Sequence, residues 1–372
     1  MKTFHCACGQ PLFFDNLVCL GCGAEVAYDG RRRHLGALEA RADGLWAFRG
    51  EARDPAPLFR FCTHRGAAAT CNWLVPAADP AAFCLSCSLT RTVPALDRPR
   101  NADRLRALEA AKRRVLFQAQ TLKLPVVPKT RDEAGLAFDF LESLPEGPPV
   151  VTGHAAGVIT LDVAEADDDY RDKNRDLLQE HYRTVVGHLR HELGHYYWDM
   201  LIRDTSSLES FRALFGDERA DYTAALERYY AEGPPPDWRD RFISRYAAAH
   251  PWEDWAETWA QYLHINSTLE TVTAHKFDIS QSPLSITPFG PDALFMPEPA
   301  EAGVAFLAWI NAMVVLAAVL NETARSMGQP DIYPFVLNRP TVTKLHFVHC
   351  VISGDRAART PPPPEALAPA DG

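Results

Sequence analysis

The chain has 372 residues, 47% of them apolar and 23% charged, with a formal net charge of −10. That apolar mass can bury one or two sizeable cores, which excludes a wholly disordered or collagen-like chain, and the length suggests two to three domains. The charge is uneven: residues 1–114 carry 17 Lys and Arg against 11 Asp and Glu, the remainder 21 against 37. The acidic whole disfavours a nucleic-acid binder, although a small basic N-terminal module keeps that option alive.

Residues 1–95 are rich in cysteine and turns and poor in periodic segments. Residues 101–121 are expected as a helix that opens the second domain (101–352), with Asn101 or Asp103 as cap and Pro125 and Pro128 beyond its end. Val158 to Val163 alternates with β-branched residues and predicts a strand. The acidic turn Asp167-Asp168-Asp169 follows. One long helix is expected from about Asp172 to Ile202. Another runs from Arg219 to Glu232, stopped by Gly233 and three prolines, and a third opens at Pro251 and reaches about Leu269. Gly303 to Leu320 is almost continuously apolar, about the minimum length of a membrane span. Asn311 near its middle and the lack of basic or aromatic flanks favour a buried core helix and no membrane role. Residues 354–372, rich in Ala and Pro, are expected as a disordered tail.

Nine cysteines are present, eight of them before residue 88. Met1-Lys2-Thr3-Phe4-His5-Cys6 has no apolar core of an export signal, which points to the cytoplasm, where grouped thiols are metal ligands more often than disulfides. Cys6, Cys8, Cys19 and Cys22 form one set; Cys62, Cys71, Cys84 and Cys87 form another. Each supplies the four thiolates of a structural zinc. Local pairing within each set follows sequence order, with pairing between the sets as the alternative. Such units dock nucleic acid, a protein partner or a neighbouring domain.

The sharpest motif is His191-Glu192-Leu193-Gly194-His195. On a helix, positions i and i+4 share a face, so both imidazoles can meet one Zn2+, with Glu192 placed to act on a zinc-bound water. A catalytic zinc needs a third protein ligand. Six residues on stands Leu201, not histidine, so a carboxylate from a later helix is expected. Two clusters compete: Asp217 with Asp221, and Glu253 with Glu257. The second is favoured, because its carboxylates stack on one face of a helix made partly apolar by Trp252, Trp255 and Trp259. One can ligate while the other orients an imidazole. Glu253 is the first choice; Glu257 and the Asp217/Asp221 pair stay open. His188 reads as a core or solvated residue and His154 as a loop residue.

The two histidines, Glu192 and the later Glu253-x-x-Ala256-Glu257 resemble the gluzincin layout of thermolysin-like and lethal-factor-like metallopeptidases. In the latter a tyrosine lies seven residues before the glutamate ligand. Tyr246 lies seven before Glu253, which supports Glu253 over Glu257. More closely, the chain resembles the bacterial "putative zinc-binding metallopeptidase" family with an N-terminal zinc ribbon. The matching stretches are CNWLVP at 71–76, AKRR at 111–114, GVITLDVAEADD at 157–168, RHELGHYYWD at 190–199, LFGDERADY at 214–222 and HPWEDWAETWAQYLHI at 250–265.

The resemblance implies an α+β fold: a double zinc ribbon, then a mostly helical zincin-like domain with a small β-sheet. It implies one catalytic and two structural Zn2+, held at the first by His191, His195 and Glu253. Glu192 would be the general base, Tyr246 a donor to the oxyanion, and Glu257 the residue that orients a ligand histidine. Val158 to Val163 would be the edge strand that pairs with a peptide or protein substrate. The alternative is a ribbon-based scaffold protein with a non-catalytic zincin domain.

Overall fold

The computed structural model describes residues 3–178, 184–295 and 300–354; the expected tail beyond residue 354 lies outside them. The N-terminal region begins with a short antiparallel ladder, β1 (Phe4–His5) with β2 (Pro11–Leu12). An antiparallel sheet follows in simple chain order: β3 (Val26–Asp29), β4 (His34–Ala40), β5 (Trp46–Phe48), β6 (Phe59–Phe61) and β7 (Leu74–Pro76). Because side chains alternate along a strand, Val26, Tyr28, Leu35 and Ala37 join the main core while Ala27, Leu38, Phe48, Phe59 and Leu74 form a small cluster of their own.

The second cysteine set leads directly into the next domain. Cys84 caps the one-turn helix α1 (Leu85–Ser88), its sulfur accepting the Cys87 amide at 3.5 Å. Strand β8 (Thr90–Thr92) follows at once. β8 lies on the ribbon side of the boundary expected at residue 95, yet it pairs in parallel with β9 (Ala137–Leu141). Helix α2 (Asn101–Thr121) spans the expected range. Asn101 does not cap it; its amide donates to the Ala95 carbonyl.

The second sheet has the order β10-β11-β9-β8, with β10 (Gly153–Ala155) antiparallel to β11 (Val158–Asp162) and β11 parallel to β9. This corrects the strand expectation. Val158–Asp162 is an interior strand, and the edge beside the histidine helix is β10. Three residues were too few, and too Gly- and Ala-rich, to read as a strand.

The single helix expected over 172–202 is two, α3 (Asp168–Leu178) and α4 (Val185–Leu201). Thr184, extended at φ −129°, ψ 154°, starts the second by accepting the Gly187 amide with its hydroxyl. Helices α5 (Leu208–Phe215), α6 (Tyr222–Glu232), α7 (Trp238–Arg241) and α8 (Pro251–Ala274) follow, then α9 (Ala300–Ser326) and α10 (Arg339–Ser353). α6 begins three residues later than expected because Asp221 is its cap.

The crossing of α4 and α8 decides the site. At Gly194 an added Cβ would lie 2.9 Å from the Ala256 Cα, so only glycine lets the two backbones meet. The Trp255 indole N–H donates to the Gly194 carbonyl at 2.8 Å and fixes the crossing.

α9 is long and apolar enough to cross a membrane, alone among helices of the described residues. Its inner face, Phe306, Ile310, Met313 and Leu316, is buried in the core. Asn311 brackets the backbone of Phe289, accepting its N–H at 2.8 Å and donating to its carbonyl at 3.1 Å. Its outer face, with Val304, stays exposed, so the expected core helix is buried on one side only.

The whole is an α+β protein, a zinc-ribbon region with cysteine clusters followed by a helical domain with small sheets. One hydrophobic cluster runs through both, from Phe4 to Ile352. α2 joins them: Phe117 packs on Phe14 and Tyr28 of the ribbon at 4.9 and 5.6 Å. From the same helix, Gln118 accepts from Arg190 of α4 and donates to the Leu263 carbonyl of α8.

Candidate metal centres

Each cysteine set gathers locally, Cys6 with Cys8, Cys19 and Cys22, and Cys62 with Cys71, Cys84 and Cys87. The eight are unbridged thiols. Their closest sulfurs stand apart by 3.6 Å (Cys6–Cys22), 3.7 Å (Cys8–Cys19) and 3.6 Å (Cys71–Cys84). A disulfide would need about 2.05 Å. Four sulfurs each about 2.3 Å from one zinc would sit roughly 3.8 Å from each other. In the second set, the backbone amides of Trp73 and Cys84 donate to the sulfurs of Cys71 and Cys62 at 3.4 Å. The second set is wholly buried; in the first, Cys8 and Cys22 are exposed.

The third cluster is His191, His195 and Glu253. α4 presents the two imidazoles on one face, and α8 brings Glu253 to them through its first turn. That turn is set by His250, whose Nδ1 accepts the Trp252 amide at 3.1 Å, and by Pro251 at the first helical position. The His191 and His195 Nε2 atoms lie 3.2 Å apart. Glu253 Oε2 is 3.0 Å from His191 Nε2, and Oε1 is 3.5 Å from His195 Nε2. Tetrahedral zinc with bonds of about 2.0–2.1 Å sets ligand separations near 3.3 Å, so the two ring nitrogens and the Glu253 carboxylate are spaced to hold one such ion.

The electrostatics ask for a cation at the same point. The Glu253 side chain is only 1% exposed. Burial alone would raise its pKa, but the two histidines hold it well below the usual carboxylate range. Burial likewise opposes the charged form of His191, and Glu253 and Glu257 override it and push that imidazole up. A buried carboxylate beside converging ring nitrogens is stable only with shared positive charge, which a metal ion at this point would supply.

Glu257 lies one turn along α8 and meets the far side of the His191 ring, Oε1 to Nδ1 at 2.7 Å. Its carboxylate fixes Nδ1 as the protonated nitrogen and turns the Nε2 lone pair toward Glu253 and His195. Glu192 is 7% exposed. Burial raises its pKa, and its Oε2 has no hydrogen-bond partner among the described residues. Tyr246 lies beside His191, ring centres 6.0 Å apart.

The other sequence candidates are elsewhere. Asp221 accepts the Ala224 amide as the α6 cap, and Asp217 pairs with Arg219. His188 faces Glu165 at 3.4 Å. Trp255 and Trp259 are core, whereas Trp252 lies over His195 with ring centres 4.2 Å apart. Two residues at the centre were not singled out for it. His154, on the edge strand β10, lies parallel to the His195 ring at 6.5 Å, and burial pushes its pKa down to about 4. Tyr222 donates its hydroxyl to Glu253 Oε1 at 2.7 Å. Burial and the adjacent carboxylate raise its pKa, keeping it a donor. The sequence signal for Tyr222 is its place at the end of the stretch LFGDERADY, directly after Asp221.

Two cysteine clusters on a ribbon and a His-His-Glu cluster in the helical domain define a zinc-binding protein of the metallopeptidase class. The sequence comparisons agree: a zinc-ribbon domain matches residues 3–98, and the family described as "Putative zinc-binding metallo-peptidase" matches residues 101–351. The chain belongs to that family. It is similar to uncharacterized proteins of Mycobacterium bovis and Mycobacterium tuberculosis, each 40% identical over 355 residues and covered to 95% on both sides. No solved structure matches the chain.

Proposed function

We propose that the protein is a zinc-dependent peptidase of gluzincin type, in which His191, His195 and Glu253 hold the catalytic Zn2+ and each cysteine set holds a structural one. The observation that carries this is the spacing of two imidazole nitrogens and the Glu253 carboxylate, 3.0 to 3.5 Å apart, beside a second buried carboxylate, Glu192, with an unpartnered oxygen. Bound there, the ion would supply Lewis acidity, lowering the pKa of a coordinated water to about 7.

Glu192 takes the proton of the attacking water and delivers it to the leaving amine nitrogen. Burial favours this role, since it raises the Glu192 pKa and so makes the carboxylate a better proton acceptor. Glu257 keeps His191 in the ligating tautomer. Tyr246, whose ring lies 6.0 Å from that of His191, is the donor to the carbonyl oxygen as it gains charge. The substrate is a peptide or protein segment, which adds as a strand to the outer edge of β10.

Metal analysis of the full chain is expected to give three zinc ions. Activity on a broad peptide library should vanish in Glu192→Gln with all three retained. Two ions per chain would remove the catalytic centre. A wild type as inert as the variant on every peptide would favour the scaffold alternative.

A further inference from the structure

The Glu253 carboxylate has two oxygens with different surroundings. Oε2 is the one nearer His191 Nε2, at 3.0 Å. Oε1 accepts the Tyr222 hydroxyl at 2.7 Å. The glutamate rides on α8 with rotatable bonds between carboxylate and backbone, so nothing on its own helix fixes which oxygen faces the histidines. Tyr222 comes from a different element, the first residue of α6.

Tyr222 is itself held from several directions. Asp221 caps α6 immediately before it. The Arg212 guanidinium grips Glu218 of the preceding loop. His250 links that loop to α8. Its Nδ1 accepts the Trp252 amide, so Nε2 carries the proton and donates to the Ala220 carbonyl at 3.1 Å. The Tyr222 ring stands edge-on to His250 and Trp252, centres 5.2 and 6.0 Å apart. The Tyr222 hydroxyl therefore reaches the carboxylate from α6 at Oε1, which also lies 3.5 Å from His195 Nε2, while Oε2 lies 3.0 Å from His191 Nε2.

We infer that Tyr222 is a positioning residue for the zinc site: its hydroxyl holds one oxygen of Glu253 so that the other is aimed at the metal. This rests on the reading of His191, His195 and Glu253 as zinc ligands. The same hydroxyl links the start of α6 to the centre. Groups that orient a ligand in this way typically change metal affinity by about 10–100-fold when removed.

Tyr222→Phe keeps the ring packing and deletes the bond. The full chain is equilibrated with zinc at graded free concentrations set by a competing chelator, and bound zinc per chain is measured. The transition that disappears in His191→Ala belongs to the histidine site; those that remain belong to the cysteine clusters. In Tyr222→Phe the histidine-site midpoint is expected at roughly 10-fold or more higher free zinc, with the cysteine transitions and the melting temperature of the zinc-free histidine site unchanged. A midpoint within twofold of wild type would overturn the proposal. So would a lower melting temperature with no midpoint shift, which is the signature of a packing role alone. If wild type shows no transition that His191→Ala removes, the zinc-ligand reading beneath the proposal fails, a result distinct from either of these.

Discussion

Gly194→Ala tests the geometry on which the centre depends. An alanine Cβ at this position would sit 2.9 Å from the Ala256 Cα and 3.3 Å from both the Ala256 carbonyl oxygen and the Trp259 Cβ. Two of those neighbours are backbone, so no side-chain rotation relieves the contact. Non-bonded carbons rest about 3.5–4.0 Å apart, so α4 and α8 must separate by several tenths of an ångström. In an isolated helix alanine would be favoured over glycine by about 1 kcal/mol. Overpacking costs roughly 1–3 kcal/mol, and the stretched Trp255–Gly194 hydrogen bond loses up to about 1 kcal/mol more. The expected net result is a destabilisation of about 1–2 kcal/mol. The same separation withdraws Glu253 from both histidines, so zinc affinity at that centre should fall together with stability. Denaturant unfolding of the zinc-loaded chain and chelator competition read the two effects. An alanine variant as stable as wild type, binding zinc with equal affinity, would refute the close-crossing argument.

Glu257→Ala removes the acceptor of the His191 Nδ1 proton and should weaken zinc binding at the histidine site by about 10–100-fold while leaving the cysteine sites alone, read by chelator competition. Cys84→Ala should cost one zinc and also loosen the β8–β9 pairing, because that residue would be a ligand and is the cap of the turn leading into β8; Cys8→Ser, at an exposed corner, should cost one zinc and leave protease resistance over residues 90–141 intact. His264 is pushed down to about 3 by burial and the Arg190 charge, against about 6.5 in the unfolded chain. Between those values the unfolded state binds a proton that the native state does not, so this residue makes stability rise with pH, by about 2 kcal/mol between pH 5 and neutrality. His264→Gln should flatten the stability profile over that window, and an unchanged slope would exclude it as the source.

What was legible in the sequence followed from local periodicity and from chemistry confined to short spacings. Cys19-x-x-Cys22 and Cys84-x-x-Cys87 set their own knuckles. His191 and His195 share a face by helical arithmetic, and Glu253 and Glu257 do so in the same way. The parts that were not legible depend on contacts between distant segments. β10 is recognisable as a strand only through its pairing with β11, since Gly153-His154-Ala155 has no strand propensity of its own. The break at Thr184 hides in a polar stretch, where the apolar periodicity that would mark a helix boundary is weak. Tyr222 is one of many tyrosines until α6 folds back over α8. Gly194 could be read as a place of close approach, but only the packed helices identify Ala256 as what approaches.

The charge split along the chain also takes its meaning from the fold. The basic excess of residues 1–114 suggests a module apart from the acidic remainder, yet several of its arginines face that remainder. Arg91 pairs with Asp139 and Arg98 with Glu142, and Arg100 and Arg104 both meet Asp167. Beneath them Lys112, with a side chain 0% exposed, donates to Glu109 at 2.7 Å, and the Thr90 hydroxyl of β8 donates to the same carboxylate. The exposed pairs contribute little stability individually. The buried one costs several kcal/mol per ion in desolvation unless its partners are correctly placed. Such a cluster penalises any register of β8 against α2 other than the observed one. The second cysteine set sits three residues before β8, so metal binding in the ribbon is expected to couple to the seating of the sheet beside the histidine helix.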